Sequence, residues 1–273
     1  TFGVMCPYAR GWQESFGEYI VRLCDVTQCG IIYLDQIACS RAKPCFDPRH
    51  GHPLGGGSWW AEGNRRLLGP VHDILSKRNV PITSEGAAES WIDMIDGYLL
   101  ACCPQETDVP FYTCVYGGYA SYFGSYLAPQ TEFVPYWAIT ARATAWGVEP
   151  GWYHSWPMDK GKERFGDALA YCARFREQAK EFLAYGHLVG EVRFAEEPKM
   201  FKTSWPNPMN GGANTVTGSF PEVMGTVWAN VDDTKRAVVL ANMTDREQTV
   251  SFGRPFAGSV TLAPNSLELI REK

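Results

Sequence analysis

The sequence of 273 residues lacks the usual features of a membrane protein or a nucleic-acid-binding protein. It has no run of 18 apolar residues, and no charged segment followed by an apolar one stands at its start. Its net charge is −5, and no basic stripe is interleaved with aromatic residues. We therefore expect a soluble protein that binds neither a membrane nor a nucleic acid. The first residue, Thr1, is not Met, which suggests that an upstream segment has been removed.

The nine cysteines include no Cys-x-x-Cys pair. Several lie within apolar patterns, as Cys24 and Cys172 do, where a free thiol behaves as a small hydrophobic side chain. Unpaired thiols favour a reducing compartment, and the cytoplasm is therefore the expected location.

One apolar run of the sequence ends abruptly in polar residues. Residues 30–34 read Gly-Ile-Ile-Tyr-Leu, and Asp35 and Gln36 follow them. A continuous apolar run is typical of a buried parallel strand, and barrel enzymes carry their catalytic groups at the C-terminal ends of such strands. Asp35 is therefore the first catalytic candidate. The alternative is an aspartate that only caps a turn.

Residues 80–86 repeat this arrangement, because a short β-prone run there ends in Glu85 and a glycine. Between the two runs, residues 59–78 carry apolar side chains at helical spacing. A strand, a helix and a second strand predict a parallel pair whose C-terminal ends meet at one rim, so Asp35 and Glu85 should lie together. The alternative for Glu85 is an acid that interacts with a helix dipole.

Two carboxylates at one rim suit the hydrolysis of a glycosidic bond, which uses two acids on either side of the sugar carbon. A separation of about 5 Å gives retention of configuration, and about 6.5–9.5 Å gives inversion. We expect retention, with Asp35 as nucleophile and Glu85 as general acid/base. The substrate would be an oligosaccharide or another glycoside, and the reaction requires no cofactor.

The glycine-rich loop at residues 38–58 follows Asp35 and supplies candidate hydrogen-bond partners for sugar hydroxyls, namely Asp47, Arg49, His50 and His52. The alternative is a plain surface loop with a well-packed histidine. The spacing of Cys39, Cys45, His50 and His52 matches no standard zinc module, so no metal is expected. The alternative is a metal centre in this loop that serves a different hydrolysis.

Aromatic residues follow several predicted strands and could stack on the apolar faces of sugar rings. The substrate-binding candidates of this kind are Trp59, Tyr116 and Trp152. His154 lies at another predicted strand end, where it either contacts substrate or packs beneath Trp152 and Trp156.

The alternation of strands and helices continues to about residue 190, with a strand predicted at residues 109–116 and helices at residues 12–24, 133–146 and 161–185. Beyond Gly186 the sequence changes to short β-prone segments separated by turns, which predict an antiparallel β-sandwich. The chain therefore reads as an α/β domain at residues 1–190 and a β-sandwich domain at residues 191–273.

Three segments carry a resemblance to a known family: residues 33–37, residues 45–57 with the sequence CFDPRHGHPLGGG, and residues 84–86. They resemble TIM-barrel, glycoside-hydrolase-like proteins grouped as domain of unknown function 6259. The resemblance implies a (β/α)8 barrel with a C-terminal β-domain, in which Asp35 ends about the fourth strand and Glu85 about the fifth. This order of acids is similar to that of alpha-amylase-like and endo-alpha-N-acetylgalactosaminidase-like enzymes, which are retaining and act on alpha-linked sugars.

Only one helix and a short fragment precede Asp35, so residues 1–190 would form the C-terminal part of such a barrel. An incomplete barrel exposes strand edges. We expect a homo-oligomer or a missing N-terminal segment to complete it. The alternative to a hydrolase is a non-catalytic carbohydrate-binding protein or an inactive barrel fragment.

Overall fold

A computed structural model describes residues 3–100, 107–152, 155–254 and 256–272. The chain divides into two compact units, Thr1–Leu99 and Leu100–Lys273. Within the described residues, every helix is too short or too polar to pass through a lipid bilayer.

The first unit contains a parallel sheet and two long helices. Its elements are α1 (Arg10–Thr27), β1 (Ile32–Leu34), α2 (Trp59–Ser76), β2 (Ile82–Glu85) and β3 (Gly97–Leu99). Strand β2 lies between β1 and β3 and pairs in parallel with both. The parallel pairing predicted for the first two strands is therefore confirmed.

The alternation of side chains along β1 decides which groups face away from the core. Ile32 and Leu34 are buried, whereas Tyr33 is 44% exposed. Successive side chains of a strand point to opposite faces, so Tyr33 belongs to the face opposite Ile32 and Leu34, and Asp35 follows the strand in a turn. In α2, the buried residues Leu67, Leu68, Val71 and Leu75 recur at helical spacing, and α2 packs against α1.

The second unit begins with helices and ends with antiparallel strands. Its helices are α3 (Phe111–Val115), α4 (Phe133–Ala145), α5 (Glu163–Gln178) and α6 (Lys180–Leu183), and β4 (Ser121–Phe123) lies between α3 and α4. The later strands are β5 (His187–Glu191), β6 (Arg193–Phe194), β7 (Met200–Pro206), β8 (Thr215–Pro221), β9 (Val223–Ala229), β10 (Arg236–Asn242), β11 (Gln248–Arg254), β12 (Gly258–Leu262) and β13 (Ser266–Arg271). They form sheets ordered β13-β10-β9-β5 and β12-β11-β6, with β7 and β8 as a separate pair.

Strand β10 is buried on both faces and belongs to two cores. Val239 and its alternate neighbours pack with α4, α5 and α6 in a core that also contains Trp137 and Trp228. Val238 and Leu240 belong to a second core, which they share with Phe252 of the other sheet. Alternate side chains of one strand thus join the helices on one side and the second sheet on the other.

The strand predicted at residues 109–116 is wrong, because residues 111–115 form α3. Phe, Tyr and Val favour strands, but Pro110 precedes the helix, and its carbonyl accepts a 2.9 Å hydrogen bond from the Cys114 amide. The helices predicted at residues 12–24, 59–78 and 133–146 are confirmed, and the one at residues 161–185 divides into α5 and α6.

The predicted division at residue 190 lies inside the second unit, since helices before it and strands after it share one core. The α/β character of the first unit and the antiparallel strands of the second agree with the expected fold class. A barrel fragment at residues 1–190 and a β-sandwich at residues 191–273 remain predictions.

Candidate active site

The two candidate catalytic acids occupy matching positions on neighbouring strands. Leu34, the last residue of β1, pairs with Ser84 of β2; Asp35 follows β1 at the start of a turn, and Glu85 is the last residue of β2. Parallel neighbours lie about 4.8 Å apart, and side chains in register point to the same face. On this basis we expect the two carboxylates at one edge of the sheet, and their convergence there remains a prediction.

The chain turns after Asp35 and brings Cys39 to the second acid. The Cys39 thiol donates to Oε2 of Glu85 at 3.6 Å. Gly86 has a φ of +69°, and a Cβ atom there would lie 2.7 Å from Cβ of Cys39, so the position requires glycine. Ser84 holds the start of the turn, because its Oγ accepts from the Ala38 amide at 3.2 Å.

The charges of Asp35 and Glu85 contribute to raised pKa values at two neighbouring groups, Cys39 and Tyr33. Partial burial, followed by the charge of and the hydrogen bond to Glu85, raises the pKa of the Cys39 thiol to about 11, and Asp35 adds to this increase. Partial burial and the charges of Glu85 and Asp35 raise the pKa of Tyr33 to about 12. Both groups therefore stay protonated at neutral pH beside the two carboxylates. We call Tyr33, Asp35, Cys39 and Glu85 the carboxylate site.

A groove of about 360 Å³ begins at Asp35 and is lined by residues of the first unit. Its aromatic residues are Trp12, Phe16, Tyr33 and Trp60. Trp12 and Phe16 lie one turn apart on α1, with ring centroids separated by 5.6 Å. Trp12 and Phe16 were not predicted as binding residues, because they belong to a helix that precedes the first predicted strand, and of the neighbours Trp59 and Trp60 only Trp59 was chosen as a binding candidate.

Asp47 and Arg49, predicted to bind sugar, pair with each other. Nε of Arg49 donates to Oδ1 of Asp47 at 2.9 Å, and the Arg49 amide donates to the same oxygen at 3.0 Å. These bonds hold the pKa of the Asp47 carboxyl well below its usual range. The Arg49 side chain remains 85% exposed.

The two loop histidines turn toward cysteines. Nδ1 of His50 lies 3.3 Å from Sγ of Cys45, and Nε2 of His52 lies 3.3 Å from Sγ of Cys6. One ligand atom from each of these four residues lies within 4.8 Å of the other three. We call Cys6, Cys45, His50 and His52 the Cys/His cluster. The sequence analysis missed Cys6, which precedes α1, and no local spacing could have linked it to the loop.

Trp59, a predicted sugar platform, is 3% exposed. Its ring lies against that of His52, with centroids 3.8 Å apart and planes 9° apart, so packing covers one face of the indole. No described contact joins Trp59 to the carboxylate site.

The remaining predicted binding residues belong to the second unit. Tyr116 follows α3 and contacts the ring of Tyr112, and Trp152 is 47% exposed with its ring 5.2 Å from that of Tyr126. His154 lies outside the described residues. Sugar binding by Tyr116, Trp152 and His154 remains a prediction.

Comparisons with known proteins support the resemblance drawn from the sequence. Residues 1–126 match the family described as Domain of unknown function (DUF6259), which confirms that resemblance. A protein of Bacteroides thetaiotaomicron named "Putative glycoside hydrolase" is 26% identical over 91% of this chain and 36% of its own length. A protein of Monosiga brevicollis named "Putative glycoside hydrolase 22789" is 24% identical over 91% of this chain and 23% of its own length. The chain thus spans about a third and a quarter of these curated relatives.

Solved structures are similar in fold. Eubacterium rectale Amy13B superposes with a TM-score of 0.53 at 10% identity, covering 98% of this chain and 64% of that one. An alpha-amylase of Anoxybacillus superposes with a TM-score of 0.50 at 10% identity, covering 95% of this chain and 62% of that one.

Proposed function

We propose that this chain carries the two catalytic carboxylates of a retaining glycoside hydrolase, with Asp35 as nucleophile and Glu85 as general acid/base. The observation that carries the proposal is the parallel register of β1 and β2, whose last pair, Leu34 and Ser84, directly precedes the two acids. The curated relatives named as glycoside hydrolases and the amylase-like fold support the same reaction class. The activity is proposed for the whole protein, of which this chain contains the acid pair.

In the proposed reaction, the Asp35 carboxylate attacks the anomeric carbon while the Glu85 carboxylic acid gives its proton to the departing glycosidic oxygen. The bond to the leaving group breaks as the bond to Asp35 forms. Glu85, now ionised, then takes a proton from water, and the resulting hydroxide displaces Asp35 from the sugar. Two displacements at one carbon leave its configuration unchanged.

The groove beside Asp35 is the proposed place for the sugar. Trp12, Phe16 and Trp60 line it, and indole and phenyl rings can cover the apolar faces of a pyranose. The Tyr33 hydroxyl, protonated at neutral pH, can donate to a sugar oxygen near the nucleophile. An α-linked substrate is proposed by analogy with amylase-like enzymes, which share the fold.

The test compares Asp35→Asn and Glu85→Gln in the protein at its full encoded length, with aryl α- and β-glycosides as substrates. Loss of the general acid should reduce kcat/KM by about 10²–10⁴-fold for a poor leaving group. The reduction should be much smaller for a dinitrophenyl leaving group, which departs without a proton. Asp35→Asn should abolish turnover with the poor leaving group and with the dinitrophenyl group alike. Even a good leaving group cannot compensate for the loss of the nucleophile.

Asp93→Asn is the matched control, since Asp93 is an acid of the same unit that pairs at the surface with Arg65. Proton NMR of the first product should detect the anomer that retention requires. Wild-type activity in both active-site variants would overturn the proposal. Unchanged sugar affinity in a protein without turnover would instead favour a carbohydrate-binding protein.

A further inference from the structure

The Cys/His cluster has the composition and the spacing of a zinc site. Across a tetrahedral zinc ion, a thiolate sulfur and an imidazole nitrogen lie about 3.5 Å apart, given Zn–S and Zn–N bonds of about 2.3 Å and 2.0–2.1 Å. Two of the S···N distances in the cluster, Cys6 to His52 and Cys45 to His50, are 3.3 Å, and its four ligand atoms lie within 4.8 Å of one another. Little movement is needed for all four to reach one ion.

Each imidazole of the cluster has its second nitrogen beside an oxygen acceptor. Nδ1 of His52 donates to the Pro53 carbonyl at 2.7 Å, which leaves the lone pair of Nε2 directed at Cys6. Nε2 of His50 lies 3.6 Å from Oδ2 of Asp47, while Nδ1 faces Cys45. Metal-binding histidines are oriented in this way by a carbonyl or a carboxylate behind the ring.

Packing that is independent of the cluster holds Cys6 in place. Gly63 of α2 lets the chain approach closely, because a Cβ atom there would lie 3.1 Å from the Pro7 carbonyl carbon. The Tyr8 hydroxyl donates to Glu62 at 2.8 Å, and the Gln13 side chain donates to the Pro7 carbonyl at 2.7 Å. These contacts fix the segment that carries Cys6 against the helices.

The loop that carries the other three residues is closed by its own backbone. The Cys45 amide donates to the Gly55 carbonyl at 3.0 Å, and the Gly55 amide donates back to Cys45 at 2.7 Å. His52 packs between Trp59 and the edge of Tyr8, whose ring centroid lies 5.5 Å away. The fold therefore presents two thiols and two imidazoles at fixed positions.

We propose that Cys6, Cys45, His50 and His52 bind one zinc ion, which ties the segment before α1 to the loop after β1. Thiolate and imidazole ligands select zinc over magnesium or calcium, which prefer oxygen. Four protein ligands complete a tetrahedral shell and leave no position for a substrate, so the ion has a structural role. In this proposal His50 and His52 bind metal rather than sugar. The proposal is independent of the proposed hydrolase activity.

The test measures zinc in protein purified from zinc-supplemented cells with a thiol reductant and then desalted. Elemental analysis should give about one zinc per chain. Cys6→Ser and His52→Ala should retain at least tenfold less. Cys29→Ser is the matched control and should keep the full content, because Cys29 pairs with Cys24 at 3.8 Å outside any described group of three ligands.

Two measurements on the wild-type chain keep the test decisive if a variant fails to fold. Cobalt added to metal-free protein should produce the visible absorption of a tetrahedral thiolate complex. Zinc should protect Cys6 and Cys45 from alkylation, and a chelator should remove that protection. Zinc content near zero without a cobalt–thiolate band would overturn the proposal. So would a Cys6–Cys45 disulfide in the reduced preparation.

Discussion

The carboxylate site and the Cys/His cluster lie in the same unit but differ in how their polar atoms are arranged. The ligand atoms of the cluster face one another, and a carbonyl or a carboxylate stands behind each imidazole. In the carboxylate site, Asp35 is exposed and borders a groove. An arrangement closed on itself suits an ion that stays in place, whereas an open one suits a molecule that arrives, reacts and leaves.

Removal of the proposed zinc should have the largest effect on stability. It should also distinguish the Cys/His cluster, which would hold the ion, from the carboxylate site, which would not. A ligand that binds only the folded state stabilises it by about 4 kcal/mol when its free concentration is 1,000 times Kd. A chelator should lower the free energy of unfolding by a comparable amount, as measured by urea denaturation with and without zinc. The decrease should disappear in Cys6→Ser. If the wild-type chain is equally stable in zinc and in chelator, the Cys/His cluster does not bind zinc, and the contrast with the carboxylate site does not hold.

Gly86→Ala should damage the carboxylate site and leave the cluster intact. A left-handed backbone costs a residue with a Cβ atom about 1–2 kcal/mol, and the new methyl would also meet Cys39. We expect a loss of about 2 kcal/mol in urea unfolding with unchanged zinc content.

The control for this change is Gly17→Ala in the interior of α1, where an added Cβ would meet Cγ2 of Val71 at 3.9 Å, an ordinary van der Waals distance. Alanine there should stabilise the helix by about 0.5–1 kcal/mol. Equal effects of the two substitutions would contradict the close approach of Gly86 to Cys39.

The smallest effect concerns the reactivity of Cys39. Its thiol pKa is raised to about 11 by partial burial and by both acids, so at pH 9 the thiol is largely protonated. Glu85→Gln removes one negative charge and should lower that pKa, which increases the thiolate fraction and the alkylation rate several-fold. Mass spectrometry of the Cys39 peptide measures this rate. The exposed Cys114 should react at the same rate in both proteins, and an unchanged rate at Cys39 would place Glu85 away from it.

The sequence pointed to Asp35 and Glu85 as catalytic candidates because the pattern that carries them is local. Each acid follows a short apolar run, and a helix between the two runs makes the strands parallel. The parallel pairing is confirmed, whereas the meeting of Asp35 and Glu85 at one edge remains a prediction. The groove beside Asp35 was not predicted, because Trp12 and Phe16 reach it from α1, which precedes the first strand.

The Cys/His cluster depends on a tertiary contact that local spacing does not contain. Within the loop, the sequence shows two cysteines, Cys39 and Cys45. In the structure Cys39 contacts Glu85, and the second thiol of the cluster comes from Cys6. Likewise, the β-prone residues 111–115 form α3 after Pro110, since a helix start outweighed their strand preference. Long-range packing decided the first outcome, and a local helix start decided the second.

The two-faced burial of β10 bears on how this protein can be shortened for laboratory work. The strand contributes to both cores, because Val239 packs toward the helices and Val238 packs toward the other sheet. A version that ends at residue 190 would lack β10 and would expose the buried side chains of Trp137 and Phe182 to water. Expression boundaries should therefore keep the whole C-terminal sequence with the helices before it.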